Sequence, residues 1–230
     1  MNELFVNSVT VGVVLSIFAY QLGVFLKKKT KSPFVNPLLV SIVIVMVTLV
    51  VLKVDYESYN HSAKYLSYLL TPATVSLAIP LYRQIENLKK NFKAIIVSVF
   101  AGAITSMCTI LVMAMLFGLS HEEYVTLLPK SITTAIGMGV SEELGGYVTI
   151  TVAVIIVTGI LGNIIGEFIC KTFHIQNPIS RGLALGTSAH AIGTTKAMEM
   201  GEVEGAMSSL AIVVAGLITV VGASLFAILW

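Results

Sequence analysis

The residues able to do chemistry are concentrated in two stretches of the chain. They read Leu128-Pro-Lys-Ser-Ile-Thr-Thr-Ala-Ile-Gly-Met-Gly-Val-Ser-Glu-Glu-Leu-Gly-Gly146 and Ser180-Arg-Gly-Leu-Ala-Leu-Gly-Thr-Ser-Ala-His-Ala-Ile-Gly-Thr-Thr-Lys-Ala-Met-Glu-Met-Gly201. Each runs directly into a long apolar segment. Hydrocarbon accommodates irregular backbone and ionisable side chains only where protein buries them or a wet cavity bathes them. Hydroxyls, glycines, a histidine and carboxylates at such positions therefore point to a binding site or a pathway.

In the first cassette Ser131, Thr133 and Thr134 supply hydroxyls, Pro129 suits a helix start, and Gly137 and Gly139 weaken the helix that follows. A helix interrupted there presents free N–H groups and a positive dipole end, an arrangement that suits an anion. The same residues also serve close helix packing. Glu142 and Glu143, next to Gly145-Gly146, read either as a solvated helix end or as a coupling site.

The second cassette gathers Thr187, Ser188, His190, Thr194 and Thr195, with His190 its one titratable group between Gly186 and Thr195. Histidine titrates near neutral pH, so His190 suits a carboxylate partner or a proton relay; a satisfied interhelical donor is the plainer reading. Lys196 and Glu199 stand at i and i+3, a spacing at which they can simply pair, whereas a substrate carboxylate on Lys196 is the sharper idea. Arg181 reads as a gate charge or an interfacial anchor. The candidate substrate-binding set is thus Ser131, Thr133, Thr134, Thr187, Ser188, His190, Thr194, Thr195 and Lys196. Glu142, Glu143, Arg181 and Glu199 form the candidate gating or coupling set.

The elements that must position these groups follow from composition. The chain has 230 residues, 56% hydrophobic and 11% charged, with mean hydropathy +0.92. Soluble domains carry about 25% charged residues, so this is an integral membrane protein. Its net charge of +2 rests on loop residues and gives no case for nucleic acid. Cys108 and Cys170 lie in apolar runs without metal-ligand spacing and read as small core residues. No metal or cofactor is expected. An intramembrane hydrolase finds no support, since GxSxG, HExxH and an Asp pair are missing and Asp55 is the only aspartate.

Apolar runs of about 20 residues mark spans, here 4–26, 34–53, 64–82, 94–118, 147–170 and 205–229. The first is preceded by Glu3 and followed by Lys27, Lys28, Lys29 and Lys31, the reverse of a cleavable leader. It predicts a retained span with the N-terminus outside and the basic end in the cytoplasm. Arg83, Lys89, Lys90 and Lys93 then fall on the cytoplasmic side as well. Crossing cassettes give eight spans; re-entrant cassettes give six and keep Lys171 and Arg181 inside, the choice the charge rule prefers. The fold expected is an all-α polytopic membrane protein of six to eight spans with two Gly-rich broken or re-entrant helices. A two-span unit, 1–60, would precede a repeat-containing core, 61–230.

Gly102, Gly159 and Gly216 recur 57 residues apart, each within an apolar run, and an Ala-Ile pair precedes each. A fixed period of this kind suggests duplication, and inverted repeats with broken helices are a recurrent transporter plan.

The runs Leu128-Pro-Lys-Ser-Ile-Thr-Thr, Ser141-Glu-Glu-Leu-Gly-Gly146 and Arg181-Gly-Leu-Ala-Leu-Gly-Thr-Ser-Ala-His-Ala-Ile-Gly-Thr-Thr-Lys-Ala-Met-Glu-Met-Gly201 resemble the LrgB/CidB family of bacterial membrane proteins. Pro72-Ala-Thr-Val and Ala78-Ile-Pro-Leu-Tyr-Arg83 extend the resemblance over nearly the whole chain. Ala135-Ile-Gly137 departs from the Pro-Ile-Ala that relatives carry there, which removes a proline that would fix the helix break. The resemblance implies a bacterial plasma-membrane protein, a homo-oligomer and a small holin-like partner. It also implies two functions: an antiholin-like regulator of murein hydrolase activity and lysis, or a carrier related to the plastid glycolate/glycerate translocator and to pyruvate uptake. The polar, interrupted core favours the carrier, for pyruvate, glycolate or lactate, with proton coupling as an option. Neither reading makes the chain an enzyme.

Overall fold

The computed structural model describes residues 2–30 and 35–230. Lys31 of the basic flank, and Phe34 at the start of the second expected span, lie outside them. Among the described residues the chain is helical without strands, and it divides into two compact units, Met1–Ser76 and Leu77–Trp230.

The first unit holds α1 (Asn2–Asn7), α2 (Val11–Thr30), α3 (Pro37–Val51), α4 (Tyr56–Ala63), a 3-10 turn over Lys64–Leu69, and α5 (Leu70–Ser76). Asn36 caps α3 by accepting from the Leu38 and Leu39 amides, and Asp55 caps α4 through the Ser58 amide. Gly12 lets α4 come close to α2: its amide donates to Ser62 Oγ at 3.0 Å. Ser16 Oγ hydrogen-bonds the Tyr59 hydroxyl at 2.7 Å.

The second unit holds α6 (Ala78–Arg83), α7 (Ile85–Phe117), α8 (His121–Leu127), α9 (Thr134–Glu143), α10 (Val148–Thr172), α11 (Pro178–Met200) and α12 (Glu202–Ala227). With α2, the helices α7, α10 and α12 are long and apolar enough to cross a membrane; α3 is apolar but shorter. Many large apolar side chains on them face outward, Phe100, Leu116, Phe168 and Leu217 among them, as lipid-facing helices require. The expected single span over 64–82 is instead the 3-10 turn followed by α5 and α6. Proline within this run, at 72 and 80, interrupts a continuous amide ladder. Cys108 is exposed rather than core, and Cys170 is buried.

Both cassettes fold back on themselves. In the first, α8 gives way to non-helical residues 128–133, and α9 then returns along α10. The amide of Tyr147, at the end of this excursion, donates to Thr126 Oγ1 at 2.7 Å, at its beginning. Thr151 Oγ1 ties the junction further, with Thr126 O at 2.9 Å and Ser141 Oγ at 2.7 Å. In the second, α11 is two helices joined at His190, whose backbone adopts φ 41°, ψ −137°. The returning half lies against the outgoing half: a β-carbon at Gly193 would stand 2.6 Å from the carbonyl oxygen of Leu185.

The long helices record the directions. Gly162 and Gly166 of α10 abut Ala189 and Leu185, so α10 runs antiparallel to the first half of α11. Gly182 and Gly186 abut Glu204 and Ser208, so α12 runs parallel to that half. The two hairpin-plus-helix modules, 121–172 and 178–227, are therefore inverted relative to each other. Arg83 pairs with Glu202 at one end of this unit. At the other, Trp230 Nε1 donates to Leu119 O, Tyr124 hydroxyl donates to Phe226 O, and His121 Nδ1 lies 3.0 Å from Trp230 O.

Candidate functional site

The site is built where the two reversals meet, in the first half of α10. Ile155 serves both: its side chain fills the space over Gly137 of α9, and its carbonyl lies 3.0 Å from His190 Nε2. A carbonyl only accepts, so Nε2 carries the proton of that bond. His190 is 3% exposed, and the Cε1–Nε2 edge of its ring lies against Gly159, where a β-carbon would stand 2.8 Å from Cε1. The break exposes backbone acceptors, and Asn163 of α10 satisfies one: its Nδ2 donates to Ile192 O at 2.9 Å and to Thr195 Oγ1 at 3.0 Å. Thr194 Oγ1 donates to His190 O at 3.0 Å and meets Ser208 Oγ of α12 at 2.7 Å. His190, Thr194 and Thr195 are thus engaged in holding the reversal.

A cavity of about 520 Å³ opens beside this junction. Its walls carry eight hydroxyls: Ser98, Thr105, Ser106 and Thr109 from α7, Ser131 from the first cassette, and Ser180, Thr187 and Ser188 from α11. At roughly 30 Å³ per water it has room for a small organic anion and its hydration. Among the described residues one charged side chain lines it, Lys130. Its Nζ donates to Ser131 Oγ at 3.0 Å, and Ser131 Oγ in turn lies 3.2 Å from Ser106 Oγ. No carboxylate lies within ion-pairing distance of Lys130 among the described residues. An ammonium ringed by hydroxyls can hold a carboxylate by a charge-assisted hydrogen bond. Gly102 admits Thr187 to this wall, with a β-carbon there 2.8 Å from its methyl.

Of the residues singled out from sequence, the structure brings Ser131, Thr187 and Ser188 together around this cavity. Thr133 caps α9 by position, without a side-chain cap bond, and Thr134 opens that helix; neither lines the cavity. Lys196 is held by carboxylates, Glu167 Oε2 at 2.6 Å and Glu199 Oε2 at 3.5 Å, and Lys171 also reaches Glu167, at 2.8 Å. Arg181 Nε donates to Ile175 O at 2.6 Å, and its guanidinium lies 4.0 Å from Glu204. Arg181 and Glu199 border a second, charged cavity of about 220 Å³ with Glu167 and Lys171. Glu142 and Glu143 sit exposed at the end of α9. Lys130 was missed by sequence reasoning; the available signal was a lysine between Pro129 and a run of hydroxyls, next to apolar segments.

Fold and site define a polytopic helical membrane protein with two helical reversals around a hydroxyl-lined, cationic cavity. The chain matches the LrgB-like family over residues 16–229, and it belongs to that family. It is 40% identical over 216 residues, 94% of each chain, to the antiholin-like protein LrgB of Bacillus cereus (strain B4264) and to that of Bacillus anthracis (strain A0248). No solved structure matches it.

Proposed function

We propose that this LrgB-family chain is a membrane carrier of small monocarboxylates such as pyruvate, glycolate or lactate. One observation carries the reading: Lys130 stands in a hydroxyl-lined cavity with no carboxylate among the described residues to neutralise it. An unpaired cation at membrane depth is costly, and an anionic solute offsets that cost. Ser131, Thr187 and Ser188 orient the solute, and His190 fixes the reversal beside it.

In this reading both reversals are re-entrant and the chain crosses the membrane six times. Arg83, Lys89, Lys90, Lys93, Lys171 and Arg181 then share the cytoplasmic side, and the N-terminus is outside. The inverted modules supply the symmetry on which alternating access operates. Uptake of labelled pyruvate by proteoliposomes of the purified chain tests the proposal. Uptake by the wild type and its loss in Lys130→Met support it; a wild type that moves no small acid overturns it.

The relatives are named antiholin-like, which favours a second reading, an antiholin-like regulator; as part of that proposal it would act in oligomers with a small holin-like partner. Its mark is binding to such a partner with altered dye leakage from vesicles, without solute uptake.

A further inference from the structure

The helix α7 is longer than a bilayer requires. At 1.5 Å per residue its 33 residues extend about 50 Å, against about 30 Å of hydrocarbon. Residues 94–117 carry no Asp, Glu, Lys or Arg and are long enough to fill that layer by themselves, which leaves 85–93 at the level of the lipid headgroups. Three cations stand exposed on that stretch, Lys89, Lys90 and Lys93. Among the described residues no carboxylate lies within ion-pairing distance of them. Glu86 is the one acidic residue between Arg83 and Lys93, and Arg83 is already paired with Glu202.

The lysines share their side of the helix with apolar side chains. Ile85 and Phe92 are exposed beside them, and the exposed Val97 and Phe100 continue the same stripe toward the apolar part of α7. Leu88, Ile95 and Val99 turn another face to Met207 and Ala211 of α12. A stripe that passes from wholly apolar to basic with an aromatic matches the boundary between acyl chains and headgroups.

We propose that the exposed face of 85–93 binds anionic phospholipid headgroups, with Lys89, Lys90 and Lys93 on the phosphates and Ile85 and Phe92 at the acyl boundary. The charges complement each other, and the continuity with Val97 and Phe100 favours a lipid over a dissolved anion, which has no acyl chain to cover that stripe. Each lysine near an anionic surface strengthens the preference about fivefold. The proposal is independent of the carrier reading.

The test moves the single tryptophan of the full-length chain to the patch, by Trp230→Phe with Phe92→Trp, in bilayers of phosphatidylglycerol and phosphatidylcholine. Bromine on the acyl chains of one lipid or the other quenches the relocated indole wherever that lipid touches it. Phosphatidylglycerol is expected to be preferred at least about tenfold at low salt. Lys89→Gln, Lys90→Gln and Lys93→Gln together should abolish the preference, and arginine at the same three positions should keep it. Equal quenching by both lipids, a preference that survives the glutamines, or one that the arginines lose overturns the proposal. Inorganic phosphate at constant ionic strength should leave the preference unchanged; its loss would assign the patch to a free anion instead. A second measurement keeps Trp230 and Phe92: in detergent, added phosphatidylglycerol should raise the unfolding temperature more than phosphatidylcholine does, and equal shifts count against the site.

Discussion

The imidazole of His190 rests on Gly159, so closely that a β-carbon on that glycine would stand 2.8 Å from Cε1. A long helix thus gives up a side chain to seat a ring whose own backbone has left the helical region, at φ 41°. Gly159→Ala is therefore expected to lower stability by about 1–3 kcal/mol through overpacking, read by thermal unfolding in detergent. Removing the ring relieves the His190 part of the clash and leaves the movable end of Ile192, Cδ1 at 2.8 Å, so in His190→Ala the added Gly159→Ala costs less.

The same backbone angle separates two replacements at the tip. His190→Ala and His190→Gly both lose the bond to Ile155, but glycine adopts a positive φ without steric cost. His190→Gly is expected to be more stable than His190→Ala, by about 1 kcal/mol or more. Equal melting temperatures would contradict the strain assigned to the reversal.

Thr194 and Ser188 are four and two residues from the tip and have different tasks. Thr194 is 1% exposed and bonded to both His190 O and Ser208, so Thr194→Val should cost about 1–2 kcal/mol by stranding Ser208. Ser188 is exposed to the cavity, and among the described residues its hydroxyl bonds to its own helix, at Ala184 O. Ser188→Ala should leave unfolding unchanged and weaken binding of a small acid.

Lys130→Met is expected to lose at least about tenfold in affinity for a three-carbon carboxylate, the magnitude of a hydrogen bond to a charged group. Lys130→Arg should keep most of it. Unfolding curves check that both variants are intact.

The folding-back of the first cassette has a topological signature. With Cys108 and Cys170 replaced, single cysteines at Ser120 and at Glu143 should react with a membrane-impermeant thiol reagent from the same face of the membrane. Labelling from opposite faces would mean that 121–146 crosses.

Much of this arrangement was legible in the sequence. The 57-residue spacing of Gly102, Gly159 and Gly216 marks the three positions where long helices meet the cassettes, at Thr187, His190 and Ile136. The pairing of Lys196 with Glu199 followed from i,i+3 spacing. Less was visible at the break itself, because a non-glycine residue with positive φ has no composition signal: Gly186 and Gly193 flank it, while the turn falls on His190. Glu167 gave no hint of joining Lys196, since the contact links residues 29 positions apart. Lys130 was overlooked for a related reason. Its worth depends on which side chains from α7 and α11 surround it, and long-range packing leaves no local pattern.

Ile155 offers its methyl groups to Gly137 and its carbonyl oxygen to His190. A slide or twist of α10 by even one peptide would unseat both loops in the same stroke. The two halves of the core are in that sense geared along α10, with Ile155 as the tooth they share, and should loosen or lock together.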